Sequence, residues 1–282
     1  MRVGIFQLLY GVVEIMKEFK DKTILITGAA GTLGKTLARL FAGQGCQLIL
    51  VDMKSDLVSQ VADDLRKQGV RAWAYALDIA DSDAIRAFKR RVEDEVGRID
   101  ALVNNAGIVF GGVFESIPLE KHHLTMQVNI MGMMSLTHVF MSDLLQSRDG
   151  HLVNIASAAG LIGLPYGSSY SSSKWAVIGF SESIRLELAE RGLKNLHVTT
   201  VSPSYLQNGK LRGIRAPFLV PFLNPNELGL QILDAMRHNE PMVRSPFLVK
   251  AINLMRVLPQ HWVDTTARML GVTSSMLRWK EN

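Results

Sequence analysis

Residues 22–52 read KTILITGAAGTLGKTLARLFAGQGCQLILVD. A β-rich run, TILIT, enters a turn holding Gly28, Gly31 and Gly34. A segment from about Lys35 to Gln44 then reads as a helix, and a second β-rich run, CQLILVD, ends at Asp52. Strand, glycine turn, helix and strand in that order form a βαβ unit, which implies a parallel sheet. The glycines keep the turn tight and let backbone N–H groups, with those of Thr32 and Leu33 among them, approach a pyrophosphate at the helix N-terminus, where partial positive charge favours an anion. Asp52 stands where a carboxylate can accept hydrogen bonds from an adenosine ribose and repel a 2′-phosphate, which points to NAD over NADP. A helix-cap or loop role for Asp52 is the competing reading, and Lys35 and Lys54 sit close enough to soften the preference.

Outward from this unit the alternation continues. Residues 55–68 read as a helix with Leu57, Val61 and Leu65 on one stripe, and residues 71–78, RAWAYALD, as a third strand ending at Asp78 and followed by Ile79. A charged helix spans 81–97, and a fourth strand at 99–103 runs into NNAG, residues 104–107. Amides at a strand's C-terminal end can bond neighbouring backbone and fix a loop. A long helix is predicted over 119–146, with Asn129 inside it, where an amide is costly unless paired. NLHVTTVSP makes the sixth strand, residues 226–239 a helix, and PMVRSP a short edge strand bounded by prolines. The expected architecture is an α/β doubly wound, Rossmann-like parallel sheet of about seven strands in a single domain. Its ligand crevice lies at the strands' C-terminal ends, where Gly28, Asp52, Asp78, Asn105 and Ser157 all fall.

The fifth strand opens the stretch 150–176, GHLVNIASAAGLIGLPYGSSYSSSKWA. Tyr170 and Lys174 are four apart on a predicted helix and therefore share a face. A fixed ammonium near a phenol favours the phenolate, which would bring Tyr170 toward the range of a general acid/base. Ser157 closes the strand and can hold the same substrate oxygen from the other side. Tyr-x-x-x-Lys alone is a weak signal; its place after the fifth strand of a dinucleotide-type series gives it weight.

With the glycine turn, Asp52, NNAG and this stretch in order, the chain resembles the short-chain dehydrogenase/reductase family over nearly its whole length. The resemblance implies that Asp78 meets the adenine edge with Ile79 against the ring, that Asn104 is structural, and that Asn105, Ala106 and Gly107 line the cofactor. It also implies that Asn129 seats a water linking Lys174 to solvent, that Lys174 holds the nicotinamide ribose, and that Ser157, Tyr170, Lys174 and Asn129 form the catalytic group. A capping role for Asp78, near Ser82, is the alternative. Two departures stand out. Thr32 occupies the middle glycine position of the commoner turn, with Gly31 ahead of it, which matches a Gly-x-x-Gly-x-x-Gly spacing found in other branches. Pro203 is followed by Ser204 where relatives carry glycine, and Asn208 stands where they carry a threonine.

Composition sets the remaining bounds. The 282 residues are 48% apolar and 20% charged, a globular balance with net charge +5. A basic stripe or aromatic-basic platform for nucleic acid is not found. One cysteine, Cys46, excludes an intrachain disulfide and favours a reducing, cytoplasmic setting, and the scattered histidines give no metal-ligand spacing, so no metal is expected. Residues 1–15 form an apolar extension too short to span a bilayer, readable as an interfacial helix or an arm. The main domain is placed at 16–246, with 205–224 as an apolar lid that is either folded core or the wall of a hydrophobic substrate pocket. The tail, 247–282, carries Leu, Met and Trp at helical spacing among Lys and Arg, which suits a dimer contact, a pocket cap or a membrane-surface helix. The expected function is NAD-dependent hydride transfer with a hydrophobic alcohol or ketone of steroid, retinoid or long-chain type. The rivals are an NADPH-dependent carbonyl or acyl-carrier ketone reductase and a non-catalytic NAD-binding sensor. The resemblance further implies a homodimer or homotetramer, with peripheral membrane contact through either terminus as an added expectation.

Overall fold

The computed structural model describes residues 19–207, 221–255, 257–274 and 276. Residues 1–15, Asn208 and most of the expected lid lie outside the described residues. Seven strands, β1 Thr23–Thr27, β2 Gln47–Asp52, β3 Ala72–Ala76, β4 Ala101–Asn104, β5 Gly150–Ile155, β6 Leu196–Pro203 and β7 Met242–Ser245, build one sheet in the order β3-β2-β1-β4-β5-β6-β7. Every pairing is parallel, and β7 is an edge as its prolines required. The described helices are α1 Thr32–Ala42, α2 Ser55–Arg66, α3 Ser82–Glu95, α4 Leu119–Met126, α5 Met133–Gln146, α6 Ser168–Glu190, α7 Pro225–Arg237, α8 Phe247–Met255 and α9 Gln260–Met269.

The alternation of side chains along the strands divides the core in two. Ile24, Ile26, Leu48 and Leu50 face Leu37 and Phe41 of α1, Val58 and Leu65 of α2, and Ile232 of α7. Leu25, Ile49 and Val51 face Ile85 and Phe88 of α3, Leu136 and Phe140 of α5, and Leu188 of α6. With both faces covered, the central strands can be apolar throughout, which is why TILIT is buried at every position. The order reverses between β1 and β4, so the crevice of a doubly wound sheet opens beyond Thr27 and Asn104.

Local corrections follow from packing. Helix α1 begins at Thr32 rather than Lys35, because Gly31 takes the N-cap. The buried stripe of α2 is Val58, Ala62 and Leu65, with Leu57 left exposed. Strand β3 stops at Ala76, and Asp81, not Asp78, caps α3 by accepting from the N–H groups of Asp83 and Ala84. The long helix over 119–146 is interrupted by a π-helical turn at Gln127–Gly132. Here the chain passes so close to Ile79 that a Cβ on Gly132 would lie 2.3 Å from the Ile79 carbonyl oxygen. Leu119–Gln146 is, among the described residues, long and apolar enough to cross a membrane, yet Leu136, Phe140 and Leu144 are core residues of the sheet's second face.

One buried group makes stability pH-dependent. His151 of β5 is fully buried, its Nε2 paired with Thr199 Oγ1 at 2.8 Å. Burial first, then the neighbouring His197, push its pKa down from 6.5 to about 3. The unfolded chain therefore takes up a proton that the folded chain refuses, and this contribution is present above the unfolded value and lost as pH falls toward the folded one. Between about pH 6.5 and 4.5 the wild type should lose about 2 kcal/mol more stability than His151→Asn, measured by urea unfolding. Parallel losses in the two proteins would contradict the buried neutral imidazole.

Candidate active site

The glycine turn is shaped by contact with chain rather than with side chains. Gly28 has φ +62°, and a Cβ there would stand 2.9 Å from Ala106 Cα. At Gly34 a Cβ would meet the Gly28 carbonyl oxygen at 2.2 Å and Ala29 Cα at 2.8 Å, whereas at Gly31 it would meet only the Gly28 oxygen, at 3.2 Å. Two of the three glycines are thus dictated by geometry. Thr32 and Leu33 open α1, whose N-cap, Gly31, supplies no side-chain acceptor and whose first turn holds no acid. A helix N-terminus behind a glycine turn, with its positive dipole end and no acid in the first turn, fits a pyrophosphate.

Asp52 ends β2 with Oδ2 accepting from Ala30 N–H at 3.0 Å and Oδ1 from Lys54 N–H at 3.1 Å, so its carboxylate is fixed beside the turn. Asp78 is exposed and accepts only locally, from Ala80 N–H at 2.9 Å, while Ile79 is buried against the second core. Asn104 donates to Thr137 Oγ1 at 3.0 Å and Asn154 Oδ1 at 2.9 Å, a structural brace as expected. Asn105 spends its amide on the end of β1, donating to Thr27 O at 2.8 Å and Gly28 O at 3.1 Å. Thr27 completes this clasp, its Oγ1 accepting from Asn105 and Ala106 N–H at 3.0 Å each. Sequence reading passed over Thr27, although its place just before Gly28 was the available signal.

Gly107 faces the catalytic group: a Cβ there would lie 3.1 Å from Asn129 Oδ1 and 3.6 Å from Lys174 Nζ. Asn129, in the π turn, is 2% exposed, accepting from Ile108 N–H at 2.7 Å and donating to Ile108 O and Ser173 Oγ at 2.9 Å each. Its side chain locks the loop after β4 to α6, and Ser173 is a partner that the sequence reading missed. Lys174 is 5% exposed and donates to Ile155 O at 2.7 Å. That contact places the ammonium beside the end of β5, two residues before Ser157. Ser157 adopts extended backbone and accepts from Ala159 N–H at 3.2 Å, which aims its hydroxyl out of the strand end.

The Tyr170 phenol is governed differently from the expectation. Burial pushes it above its ordinary value, its hydrogen bond with Ser157 pulls it down, and Tyr205 adds to the rise. The ammonium of Lys174 lies 5.8 Å from the Tyr170 ring centroid and donates to Ile155 O.

Ser157 and Tyr170 open into an apolar cavity. Ala158, Ala159, Ile162 and Leu164 form one side, Ser204 and Tyr205 the end beyond β6. The tail supplies more of the wall: Leu248, Val249, Ile252 and Met255 of α8, with Ala267 of α9 and Leu270 after it. Of the three readings of the tail, pocket cap is the one its inner face fulfils, because Val249 is anchored in a cluster with Val177 and Ile178 of α6. The described ends of the expected lid, Leu206 and Leu223, pair as a short parallel bridge that holds Tyr205 in place. Among the described residues no group of three or more His, Cys, Asp or Glu could hold a metal.

A parallel doubly wound sheet with a pyrophosphate-type turn at its switch point, beside a Ser, Tyr and Lys group, defines a dinucleotide-dependent oxidoreductase. Residues 22–216 match the family model described as short chain dehydrogenase, and the chain belongs to that family. It is 32% identical over 260 residues to epidermal retinol dehydrogenase 2 of Mus musculus, covering 91% of this chain and 84% of the relative. It is 28% identical over 257 residues to estradiol 17-beta-dehydrogenase 11 of Rattus norvegicus, covering 91% and 86%. The fold superposes with TM-score 0.78 on a short chain dehydrogenase/reductase from Burkholderia phymatum solved in complex with NAD, at 22% identity and covering 89% and 97% of the two chains. The chain is thus an enzyme of this family, acting on CH–OH groups with a nicotinamide dinucleotide.

Proposed function

We propose that this chain is an NAD-dependent dehydrogenase of hydrophobic alcohols, or a reductase of the matching ketones, with Tyr170 as general acid/base. The observation that carries this reading is the apolar cavity ending on Ser157 and Tyr170. A substrate buries its hydrocarbon there and presents its oxygen to the two hydroxyls. Ser157 orients that oxygen while Tyr170 removes or returns its proton, the Ser157 hydrogen bond favouring the phenolate against the effect of burial. When bound, the nicotinamide supplies the hydride acceptor or donor. Lys174, held at Ile155 O and facing Gly107, would hold the nicotinamide ribose and return a proton to Tyr170, and Asn129, which keeps the Gly107 loop and α6 in register, would seat the relay water. Gly28, Gly31, Thr32, Leu33 and Gly34 would hold the pyrophosphate, with Asp78, Ile79, Asn105, Ala106 and Pro203 around the remainder of the cofactor.

Asp52 supports NAD. Its carboxylate, fixed at both oxygens, presents negative charge where a 2′-phosphate would add more. The second reading, NADPH-dependent reduction, is favoured by Lys54, which follows Asp52 at the start of α2. Exposed Leu124 of α4, Met134 of α5 and Trp175 and Leu186 of α6 give the helices an apolar surface suited to a homodimer or homotetramer. The outer side of the tail is also apolar, with Phe247 79%, Trp262 58% and Met269 80% exposed, which supports peripheral contact with a membrane from the cytoplasmic side.

The test is nicotinamide absorbance during turnover of retinol and aliphatic alcohols, with NAD⁺ and NADP⁺ compared. Turnover with NAD⁺ preferred by at least about tenfold is expected, a margin that one opposed charge can supply. NADP⁺ preference would reverse the role given to Asp52, and dinucleotide binding without turnover would favour a sensor.

A further inference from the structure

Four of the described residues lining the cavity are polar. Ser157 ends the β5 crossing, Tyr170 lies in the first turn of α6, and Ser204 and Tyr205 follow β6, so all four polar lining residues gather at the C-terminal ends of the strands. The hydrogen bond between Ser157 and Tyr170, and the influence of Tyr205 on Tyr170, place three of these hydroxyls together. The rest of the lining, Val249, Ile252, Met255, Ala267, Leu270 and Val272 of the tail among it, carries no polar side chain among the described residues. Toward the cavity, Leu270 N–H is spent on Thr266 O at 2.9 Å.

We infer that the enzyme selects substrates carrying a single oxygen, at the end that reaches Ser157 and Tyr170, and rejects those with a second polar group at the opposite end. This rests on the dehydrogenase reading above and narrows it. A hydroxyl driven against the Ile252 and Met255 wall gives up its hydrogen bonds to water and finds no partner, whereas a methyl group there gains by leaving water. A site that offers nothing to a polar group discriminates by leaving that group unsatisfied, and one buried hydroxyl should lower kcat/KM by roughly 10- to 100-fold.

Two alcohols of equal length, 1-dodecanol and 1,12-dodecanediol, isolate the effect. The full chain is assayed for kcat/KM per reactive hydroxyl with each, and displacement of Nile red by each reports entry into the cavity without turnover. The same measurements are made on Met255→Gln, which keeps the length of the side chain and brings an amide to that wall. The expected result is a monoalcohol preference of at least about tenfold in turnover and displacement, reduced at least about threefold in Met255→Gln. Equal kcat/KM for the two alcohols overturns the inference while leaving the dehydrogenase reading intact. No turnover of either, with selective displacement by the monoalcohol, removes the dehydrogenase reading and keeps the selectivity of the cavity. Unselective or absent displacement, or an unchanged preference in Met255→Gln, overturns the assignment of the apolar wall.

Discussion

Tyr170→Phe will lower kcat for alcohol oxidation by about 10³- to 10⁴-fold while dinucleotide affinity changes little, because the variant removes one oxygen and leaves the ring in place. The ring packs with Ala159, Leu164 and Met276, contacts that phenylalanine repeats, so the fold should hold. The phenol's pKa is raised by burial, so oxidation, which needs the phenolate, should gain rate with rising pH on an alkaline limb that Tyr170→Phe abolishes. Since Tyr205 adds to the rise, Tyr205→Phe should move that limb toward lower pH. Steady-state kinetics across pH on the three proteins, with dinucleotide binding by fluorescence, decide the matter. A Tyr170→Phe enzyme retaining a tenth of wild-type kcat would remove Tyr170 as the proton-exchanging group.

Gly34→Ala is expected to weaken dinucleotide binding by at least about 100-fold and to destabilise the fold by about 2–3 kcal/mol, the cost of forcing atoms into a filled site. The added methyl would fall 2.2 Å from the Gly28 oxygen, and that oxygen has no freedom to yield. It accepts from Gly31 N–H at 3.0 Å and from Asn105 Nδ2 at 3.1 Å, and Asn105 is itself bound to Thr27. Moving the turn therefore breaks the clasp between β1 and β4, where the crevice opens. Gly31→Ala is the control, since its methyl would stand 3.2 Å from the same oxygen and needs only a small adjustment. Titration with NAD⁺ and urea unfolding on both variants give the comparison; affinity within threefold of wild type in Gly34→Ala would mean that the turn is not the pyrophosphate cradle.

The difference between those two glycines shows where sequence reading ends. GAAGTLG announces a tight turn, and spacing treats Gly28, Gly31 and Gly34 alike. Which of them cannot bear a side chain depends on how the turn folds back, which sets Gly34 against the Gly28 oxygen and Ala29, and at Gly28 on Ala106, which follows a strand far along the chain. Asn129 was legible as a polar residue needing a partner in an apolar helix, but the π turn that holds it and its bond to Ser173 come from the approach of Gly132 to Ile79 and of α6 to the loop after β4. The tail left three readings open because a helix with apolar residues on several sides does not say which side meets the protein.

By itself the sequence determined the alternation of strands and helices, the parallel sheet, the glycine turn and the Ser157, Tyr170 and Lys174 group, because these depend on periodicity, local backbone sterics and spacing on one helix. Only the tertiary structure decided that burial raises the Tyr170 phenol while Ser157 draws it down, and that α8 and α9 line an apolar cavity beside it. Desolvation and cavity walls are properties of what surrounds a group, and those surroundings are assembled from segments remote in the chain.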